Sequence, residues 1–361
     1  MKIGLMRRFV FGCGVAVLSL CLNAEVKWLE KDYDFGLMKE IAGPQRGVSR
    51  FVNVGRDTIS IFNVRPSCGC TSAEWSDAPI APGDTSTVAY TYDPEMRPGK
   101  FDKSVKVLLS DGTRHSIRIT GNVYGTPESL ASLYPAEAGE LRLSEVALNM
   151  GEVKYGRRPL GFVNAYCLAT DSIIPTVSST VAGLSASPSQ KKAGPGDLIT
   201  YTVTFDTQAC GEYGPLEGEL TFGTPEGEGS IPWKAFVVPD ADLLARTAGA
   251  KSGVCEIAPE PVDLGVIDMA EGSKPVTAEI KVSNAGKGSL EIYRVVPDSD
   301  AIELSGLPRT IKPGKSVKVK VTVDPSRLNE GPARIPVTFI TSDVRNPLLD
   351  MHVSLYAGTP K

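Results

Sequence analysis

A spacing that occurs three times is the strongest constraint on the fold of this chain. A Pro-Gly pair is followed by an aspartate ten residues after its glycine. The glycine and aspartate pairs are Gly83 and Asp93, Gly196 and Asp206, and Gly314 and Asp324. Successive glycines lie 113 and 118 residues apart, which is the length of an immunoglobulin-like domain. The sequence therefore predicts three copies of one domain.

Apolar residues alternate with polar ones between each glycine and its aspartate. In the third copy, Val319, Val321 and Val323 are separated by lysine and threonine. A period of two residues indicates a strand with one buried face. About seven short apolar segments per copy, divided by Gly, Pro and Asn, favour an antiparallel sandwich. Upstream, we expect a strand that ends in an asparagine, at Asn53, Asn164 and Asn284.

The predicted fold class is all-β, with three tandem Ig-like antiparallel β-sandwich domains joined by short linkers. Residues 127–133 and 240–246 each permit about two helical turns before Gly or Pro intervenes. We place the first domain at residues 25–126, the second with its connector at 127–248, and the third at 249–361.

The first residues predict export from the cytoplasm. Lys2, Arg7 and Arg8 precede a short apolar stretch, and Ala24 offers a small residue at a cleavage position. Residues 1–24 therefore fit a secretory signal peptide, and the expected location is the periplasm or the outer envelope. The apolar stretch is too short for a membrane-spanning helix, and no longer one follows.

Charge and cysteine number narrow the expected partners. The formal net charge is −4 even with the basic leader, and no long basic run occurs, which argues against nucleic acid as a partner. Five of the seven cysteines follow the leader. Because that number is odd, at least one thiol lacks a partner within the chain.

The stretch Ser67-Cys68-Gly69-Cys70-Thr71 holds two of these cysteines, and it is absent from copies two and three. With Asp34-Phe35-Gly36 and Tyr92-Asp93-Pro94, it makes the first copy resemble an exported bacterial Ig-like family, the domain of unknown function 1573. Copies two and three resemble the wider set of sperm-protein-like and pilus-chaperone-like sandwiches. The resemblance implies a fold and a compartment, but no activity.

Three interpretations of Cys68, Gly69 and Cys70 stay open at this point. Both cysteines can be small apolar fillers at the end of a strand, since free cysteine is among the most buried residue types. Alternatively, a positive φ at Gly69 can turn the chain, so that the sulfurs form a reducible disulfide. Convergent thiolates can also bind a soft metal ion such as Cu(I). No other cofactor is expected. In copy three, Ser299 and Ala301 align with the two cysteines.

Two further sets of residues are candidate sites. Cys210 lies near the exit of the second copy and Cys255 lies just beyond the linker, so we predict a disulfide between them. Thr58 and Ser172 each follow an aspartate and precede an isoleucine. That pattern is similar to the O-glycosylation sites of some Gram-negative envelope proteins.

The sequence lacks the motifs of common enzymes, such as a nucleophile elbow, a His-Glu-x-x-His motif and a phosphate loop. We therefore expect a non-enzymatic, exported binding or scaffold protein that engages envelope or secreted proteins through its Ig-like domains. The alternative is a thiol-dependent redox or Cu(I)-binding protein that uses Cys68 and Cys70.

Overall fold

The computed structural model describes residues 26–248, 251–270 and 274–358. The predicted signal peptide, residues 1–24, lies outside the described residues. The chain divides into two compact units, the first ending at Thr126 and the second beginning at Pro127. Strands dominate both units, which confirms the predicted all-β sandwich architecture.

The first unit is one sandwich of two four-stranded sheets with orders β1-β3-β6-β5 and β2-β8-β7-β4. Its strands are β1 (Val26–Trp28), β2 (Asp32–Lys39), β3 (Gln45–Asn53), β4 (Ile61–Pro66), β5 (Thr71–Trp75), β6 (Thr85–Tyr92), β7 (Gly99–Leu109) and β8 (Arg114–Tyr124). A 3-10 turn, Glu40–Ala42, follows β2. The main core lies between the sheets, and a second cluster around Met38, Tyr92 and Phe101 fills one end.

The second unit holds two sandwiches. The sheet orders of the second sandwich are β14-β15-β12-β10-β9 and β11-β17-β16-β13. Its elements are α1 (Pro127–Leu133), β9 (Ala136–Ala138), β10 (Leu141–Leu143), β11 (Leu148–Lys154), β12 (Leu160–Cys167), β13 (Thr176–Ser179), β14 (Leu184–Pro188), β15 (Leu198–Phe205), α2 (Thr207–Cys210), β16 (Gly214–Thr224), β17 (Gly227–Val238) and α3 (Ala241–Ala248). Helices α1 and α3 coincide with the two predicted connector helices.

The third sandwich has sheet orders β18-β20-β24-β22 and β19-β26-β25-β21-β23. Its strands are β18 (Cys255–Ala258), β19 (Val262–Ile267), β20 (Val276–Asn284), β21 (Leu290–Pro297), β22 (Ile302–Ser305), β23 (Thr310–Ile311), β24 (Ser316–Val323), β25 (Gly331–Thr341) and β26 (Leu348–Ala357), with a 3-10 turn at Pro325–Arg327. The predicted alternation holds in β24, where Val319, Val321 and Val323 are fully buried and Lys318 and Lys320 are exposed.

One strand of each sandwich adds parallel pairing to the otherwise antiparallel fold. Strands β2, β11 and β19 run parallel to β8, β17 and β26. Each of the three has a register shift at a glycine with positive φ, such as Gly36, whose N–H donates to Asp34 Oδ1. This local irregularity leaves the strand bent at the sheet edge.

Buried asparagine amides hold the Pro-Gly turn in two copies. Asn53 Nδ2 donates to the carbonyls of Asp57 and Ile80, at 2.8 and 3.0 Å. Asn284 makes the equivalent bonds in the third sandwich, to Gly288 and Ile311. Each amide donates both of its hydrogens to backbone carbonyls, which satisfies polar groups whose burial would otherwise be costly.

The prediction that the strand of the second copy ends at Asn164 is wrong by three residues, because β12 ends at Cys167. Gly196 N donates to Cys167 O at 2.9 Å, as Gly83 N donates to Asn53 O. Cys167, which is fully buried, therefore occupies the position of the asparagine. Asn164 is exposed on β12 and accepts a hydrogen bond from Thr200 Oγ1.

Within the second unit, the second and third sandwiches share a polar and aromatic contact. The Tyr213 ring stacks on Tyr155 and on Tyr293, with centroid distances of 4.7 and 4.3 Å. Arg294 Nη1 donates to the carbonyls of Tyr213 and Pro215 at 3.0 and 3.1 Å. Residues of both sandwiches therefore meet in one continuous contact.

Candidate functional site

Cys68 and Cys70 form a disulfide in the connection between β4 and β5. These two strands are edges of opposite sheets, so the chain crosses from one layer of the sandwich to the other at this point. The disulfide therefore lies at the margin of the sandwich, where Cys70 packs with residues of both sheets. Of the three interpretations of the pair, the structure contains the disulfide.

A tight turn brings the two sulfurs together. Thr71 N donates to Cys68 O at 3.4 Å, and Asp93 N donates to Cys70 O at 2.9 Å. The two Cα atoms are 5.3 Å apart, within the usual range for disulfides. The expectation that Gly69 turns the chain through a positive φ is wrong, because Gly69 is not among the glycines with positive φ. The hydrogen bonds to Cys68 and Cys70 set the turn instead.

The two sulfurs differ in their surroundings. Cys70 is 6% exposed and packs in the end cluster with Met38 and Val123, whereas Cys68 is half-buried at its margin. The hydroxyl of Thr71 lies 3.5 Å from Cys68 Sγ and 3.9 Å from Cys70 Sγ. A donor that reaches both sulfurs can stabilise either one as a thiolate.

The disulfide lines a cavity of about 400 Å³. One wall is the stacked pair Tyr92 and Phe101, whose ring centroids are 3.8 Å apart with planes inclined by 9°. The charged side chains in the lining are Arg97, Lys100 and Lys103, and no carboxylate lines it. A positive lining favours the thiolate over the thiol after reduction.

The same turn is present in the other two sandwiches without sulfur. Ile302 N donates to Ser299 O at 3.2 Å, and Asp324 N donates to Ala301 O at 2.9 Å. These bonds correspond to the two bonds of the cysteine turn, which confirms the alignment of Ser299 and Ala301 with Cys68 and Cys70. In the second sandwich the same pattern places Val181 and Gly183 at these positions.

A metal site at the pair would depend on the two cysteines. After reduction, Cys68 and Cys70 would supply two soft thiolate ligands, a donor type that suits Cu(I). Among the described residues, no group of three or more His, Cys, Asp or Glu side chains is arranged to hold a metal ion. Cu(I) binding stays a prediction for the reduced pair.

The predicted Cys210–Cys255 disulfide is wrong, because both residues are free thiols in the structure. Cys210 packs against the core of the second sandwich, while the Cys255 side chain is buried in the core of the third. Burial, with the Asp343 carboxylate close by, raises the pKa of Cys255 to about 12. Two thiols that face separate cores cannot reach each other without backbone movement.

The candidate glycosylation residues lie at equivalent exposed positions. Thr58 and Ser172 precede Ile59 and Ile173, which form matching antiparallel bridges with Ile80 and Ala193. Their hydroxyls are therefore on the surface of the first and second sandwiches. Glycosylation itself stays a prediction.

Sequence reasoning identified the two cysteines but missed the residues around them. Lys103 and Phe101 on β7, and Arg97 in the loop before it, lie about thirty residues downstream of the pair. The available signal was the alignment of copies, because Lys103 falls in a strand position where the third copy has Ile335.

The helices in the described part of the chain are short, and α3 has eight residues. Within the described ranges of the chain, none has both the length and the apolar character that a membrane crossing requires.

The first sandwich matches a known family. Residues 26–123 match the family described as "Protein of unknown function (DUF1573)", which confirms the predicted resemblance. No curated protein matches the chain. A protein of unknown function from Porphyromonas gingivalis W83 is similar in structure, with a TM-score of 0.43, 19% identity, and coverage of 60% of this chain and 100% of the other. The YadV chaperone is similar with a TM-score of 0.22, 11% identity and the same two coverages.

Proposed function

We propose that this protein is an exported, non-enzymatic binding protein of the cell envelope whose first sandwich carries a reversible thiol–disulfide pair, Cys68 and Cys70. The observation that supports this function best is the half-buried disulfide in a positively lined cavity, at a turn that two other sandwiches build without sulfur. The fold does not require the cysteines, so their presence favours a chemical role.

The size of the closed loop argues against a purely structural bridge. A disulfide stabilises a protein mainly by restricting the unfolded chain, and the effect grows with the number of residues enclosed. Only one residue separates Cys68 from Cys70, so the entropic contribution is roughly 1.5 kcal/mol, against about 4.7 kcal/mol for a 100-residue loop. A bridge that contributes so little to folding can be opened without loss of the domain.

The binding role is supported by the two strands that flank the pair. Among the described residues, β4 pairs only with β7 and β5 only with β6, which leaves each strand with one open edge. Phe62 on β4 is 71% exposed and Trp75 on β5 is 39% exposed. Open edges with exposed aromatic side chains suit the addition of a strand from an envelope or secreted protein. Such a partner would lie next to the disulfide.

A redox titration tests the proposal. The purified protein is equilibrated in thiol–disulfide buffers, and the Cys68–Cys70 peptide is quantified by differential alkylation and mass spectrometry. We expect the folded protein to convert from disulfide to dithiol at a potential above about −300 mV, since inert structural bridges lie below that value. Circular dichroism should remain unchanged across the titration.

Two further measurements make the test decisive. Titration of the reduced protein with Cu(I) against a competing chelator measures copper binding, and the Cys68→Ser/Cys70→Ala variant is the control. Stoichiometric uptake that disappears in this variant supports the metal-binding alternative over thiol exchange. A disulfide that stays oxidised well below −300 mV until the domain unfolds contradicts the redox proposal.

A further inference from the structure

The position of Lys103 connects the positive lining to the cysteine pair. Lys103 lies on β7 between Phe101 and Val105, and residues two apart on a strand share a face. Its neighbours on that face are buried, and Lys103 itself is half-buried. Among the residues that the structure describes, no carboxylate forms a salt bridge with it. Its charge interacts with that of Asp102 without a salt bridge, and a cation between buried neighbours on a strand face is unusual, because burial penalises a charge.

The other sandwiches have no cation at this position. Pro66 pairs with Val105 and Pro297 pairs with Val337, so Lys103 corresponds to Ile335 in the third sandwich. Lys103 is the fourth residue after Gly99, the first residue of β7. The fourth residue after Gly214, the first residue of β16, is Gly218, which therefore corresponds to Lys103 in the second sandwich. The fold therefore accepts an apolar residue or glycine at this position. The lysine is present only in the sandwich that has the cysteine pair.

Geometry in the second sandwich shows how close these positions are. A Cβ atom added to Gly218 would collide with the side chain of Val181, which is the residue that corresponds to Cys68. A side chain at the Lys103 position thus begins next to the Cys68 position. Both Lys103 and Cys68 line the same cavity.

Carboxylates near the cavity are engaged elsewhere. Asp102 forms a salt bridge with Arg118 at 2.7 Å, and Glu40 accepts hydrogen bonds from the backbone N–H groups of Met96 and Thr126. Asp93 lies 3.9 Å from Arg97 and offsets part of the charge of that residue. Lys103 and Lys100 therefore both supply positive charge to the lining of the cavity that contains the disulfide.

We propose that the exchange partner of the Cys68–Cys70 disulfide is an anionic thiol, which Lys103 attracts and directs onto Cys68. The inference rests on the proposed redox function and specifies its substrate class. Cys68 is the sulfur that is attacked because it is half-buried, whereas Cys70 is 6% exposed. The negative group of the incoming thiol occupies the positively lined cavity.

The exchange balances in two steps. The partner thiolate attacks Cys68 Sγ, a mixed disulfide forms, and the bond to Cys70 breaks. Cys70 leaves with the electron pair as a thiolate, next to the hydroxyl of Thr71 at 3.9 Å, and then takes a proton from water. A second partner thiolate attacks the partner sulfur of the mixed disulfide, which releases Cys68 as a thiolate that also takes a proton from water. In total, two thiols are oxidised to one disulfide and the protein gains two electrons and two protons.

The test compares two small thiols of opposite charge. The oxidised protein is reduced by 2-mercaptoethanesulfonate, which is anionic, or by cysteamine, which is cationic, and the Cys68–Cys70 peptide is followed by quenched alkylation and mass spectrometry. An oxidised synthetic peptide of residues 66–72 serves as the reference, because it has the same disulfide without the cavity. Selectivity is the rate ratio of the two thiols in the protein divided by that ratio in the peptide.

We expect a selectivity of about ten-fold for the anionic thiol, at the lower end of electrostatic steering effects, and a decrease at high salt. Lys103→Gln should lower the selectivity to roughly a third, and Lys103→Arg should retain it. Lys106→Gln is the matched control, since Lys106 lies on the same strand, is exposed, and does not line the cavity. Acid-trapped mixed disulfide should be located on Cys68.

Equal selectivity in protein and peptide overturns the inference, as does an equal effect of Lys103→Gln and Lys106→Gln. In both cases the disulfide is still reduced and the proposed redox function stands. If neither thiol reduces the folded protein under conditions that reduce the peptide, the redox function itself is wrong.

Discussion

The cysteine turn of the first sandwich and the Ser299–Ala301 turn of the third have the same backbone and different chemistry. In both, the first residue accepts a hydrogen bond from the residue three positions later, and the third residue accepts one from the aspartate after the long strand. In both, the first side chain is half-buried and the third is buried. The fold therefore determines the backbone of this crossover, and the side chains are free to carry chemistry.

The residues that surround the turn also differ between the first and third sandwiches. Where the first sandwich has Tyr92, Phe101 and Lys103, the third has Val323, Ala333 and Ile335. The stacked rings and the cation are thus present only beside the sulfur atoms. Of these differences the lysine is the least expected, because packing alone would not require a charge there.

The second sandwich shows how tightly the crossover is packed when its third residue changes conformation. Gly183 has a φ of +77°, and an added Cβ would collide with the backbone oxygen of Asp206 and lie 2.8 Å from Cys210 N. Cys70 and Ala301 carry side chains at the same position without a positive φ. The second sandwich has therefore adopted a glycine-specific version of the turn.

The largest effect is expected for Gly183→Ala. A positive φ costs a non-glycine residue about 1–2 kcal/mol, and the collision with the backbone adds about 1–3 kcal/mol. We expect the free energy of opening of β15, measured by hydrogen exchange, to fall by about 3 kcal/mol. Gly211→Ala is the control, since its φ is +74° but no atom lies within 4 Å, and a loss of about 1 kcal/mol is expected there. Equal losses in the two variants would mean that the backbone shifts to relieve the collision at Gly183, so that only the positive φ is costly.

A smaller effect is expected when the first turn is given the residues of the third. The Cys68→Ser/Cys70→Ala variant should lose about 1 kcal/mol of stability, a typical value for a point change, while thiol exchange disappears. Chemical denaturation of the variant and of reduced wild-type protein provides the comparison. A loss of several kcal/mol relative to the reduced protein would show that the cysteines are packing residues, and the comparison of the two turns would fail.

The smallest change in stability is expected when the third turn is given the cysteines of the first. The Ser299→Cys/Ala301→Cys variant should form a disulfide, because the backbone of the two turns is hydrogen-bonded in the same way. Stability should change by less than about 1.5 kcal/mol, since the loop is equally short. Intact mass before and after reduction detects the bond. With Ile335 in the place of Lys103, this disulfide should show no preference for anionic thiols; an equal preference would assign the selectivity to the turn itself.

The repeat and the fold could be predicted because they depend on short sequence patterns that determine the local backbone. A Pro-Gly turn, an alternating strand and a capping aspartate recur at fixed spacing, and Asp206 and Asp324 indeed accept hydrogen bonds from the residues that follow them. The cysteine pair was found for a similar reason, since both residues lie in one turn. Alignment of the third copy identified the residues that replace them.

The errors concern features that depend on distant contacts. Asn164 was predicted as the strand end by analogy with Asn53 and Asn284, whereas the backbone hydrogen bond that defines the position is made by Cys167, a buried thiol. The Cys210–Cys255 bridge failed because proximity along the chain does not show which core a side chain enters. Lys103 was missed because it approaches Cys68 only through the pairing of β7 with β4, two strands that are distant in the sequence.

The contact between Arg294 and the carbonyls of Tyr213 and Pro215 has a mechanical consequence. The Arg294 guanidinium donates hydrogen bonds to two carbonyls of the neighbouring sandwich, and the tyrosine rings stack beside it. Rotation between the second and third sandwiches would therefore break several interactions at once. The second and third sandwiches should therefore resist bending at their contact, so that a pulling force applied to one sandwich is transmitted to the other.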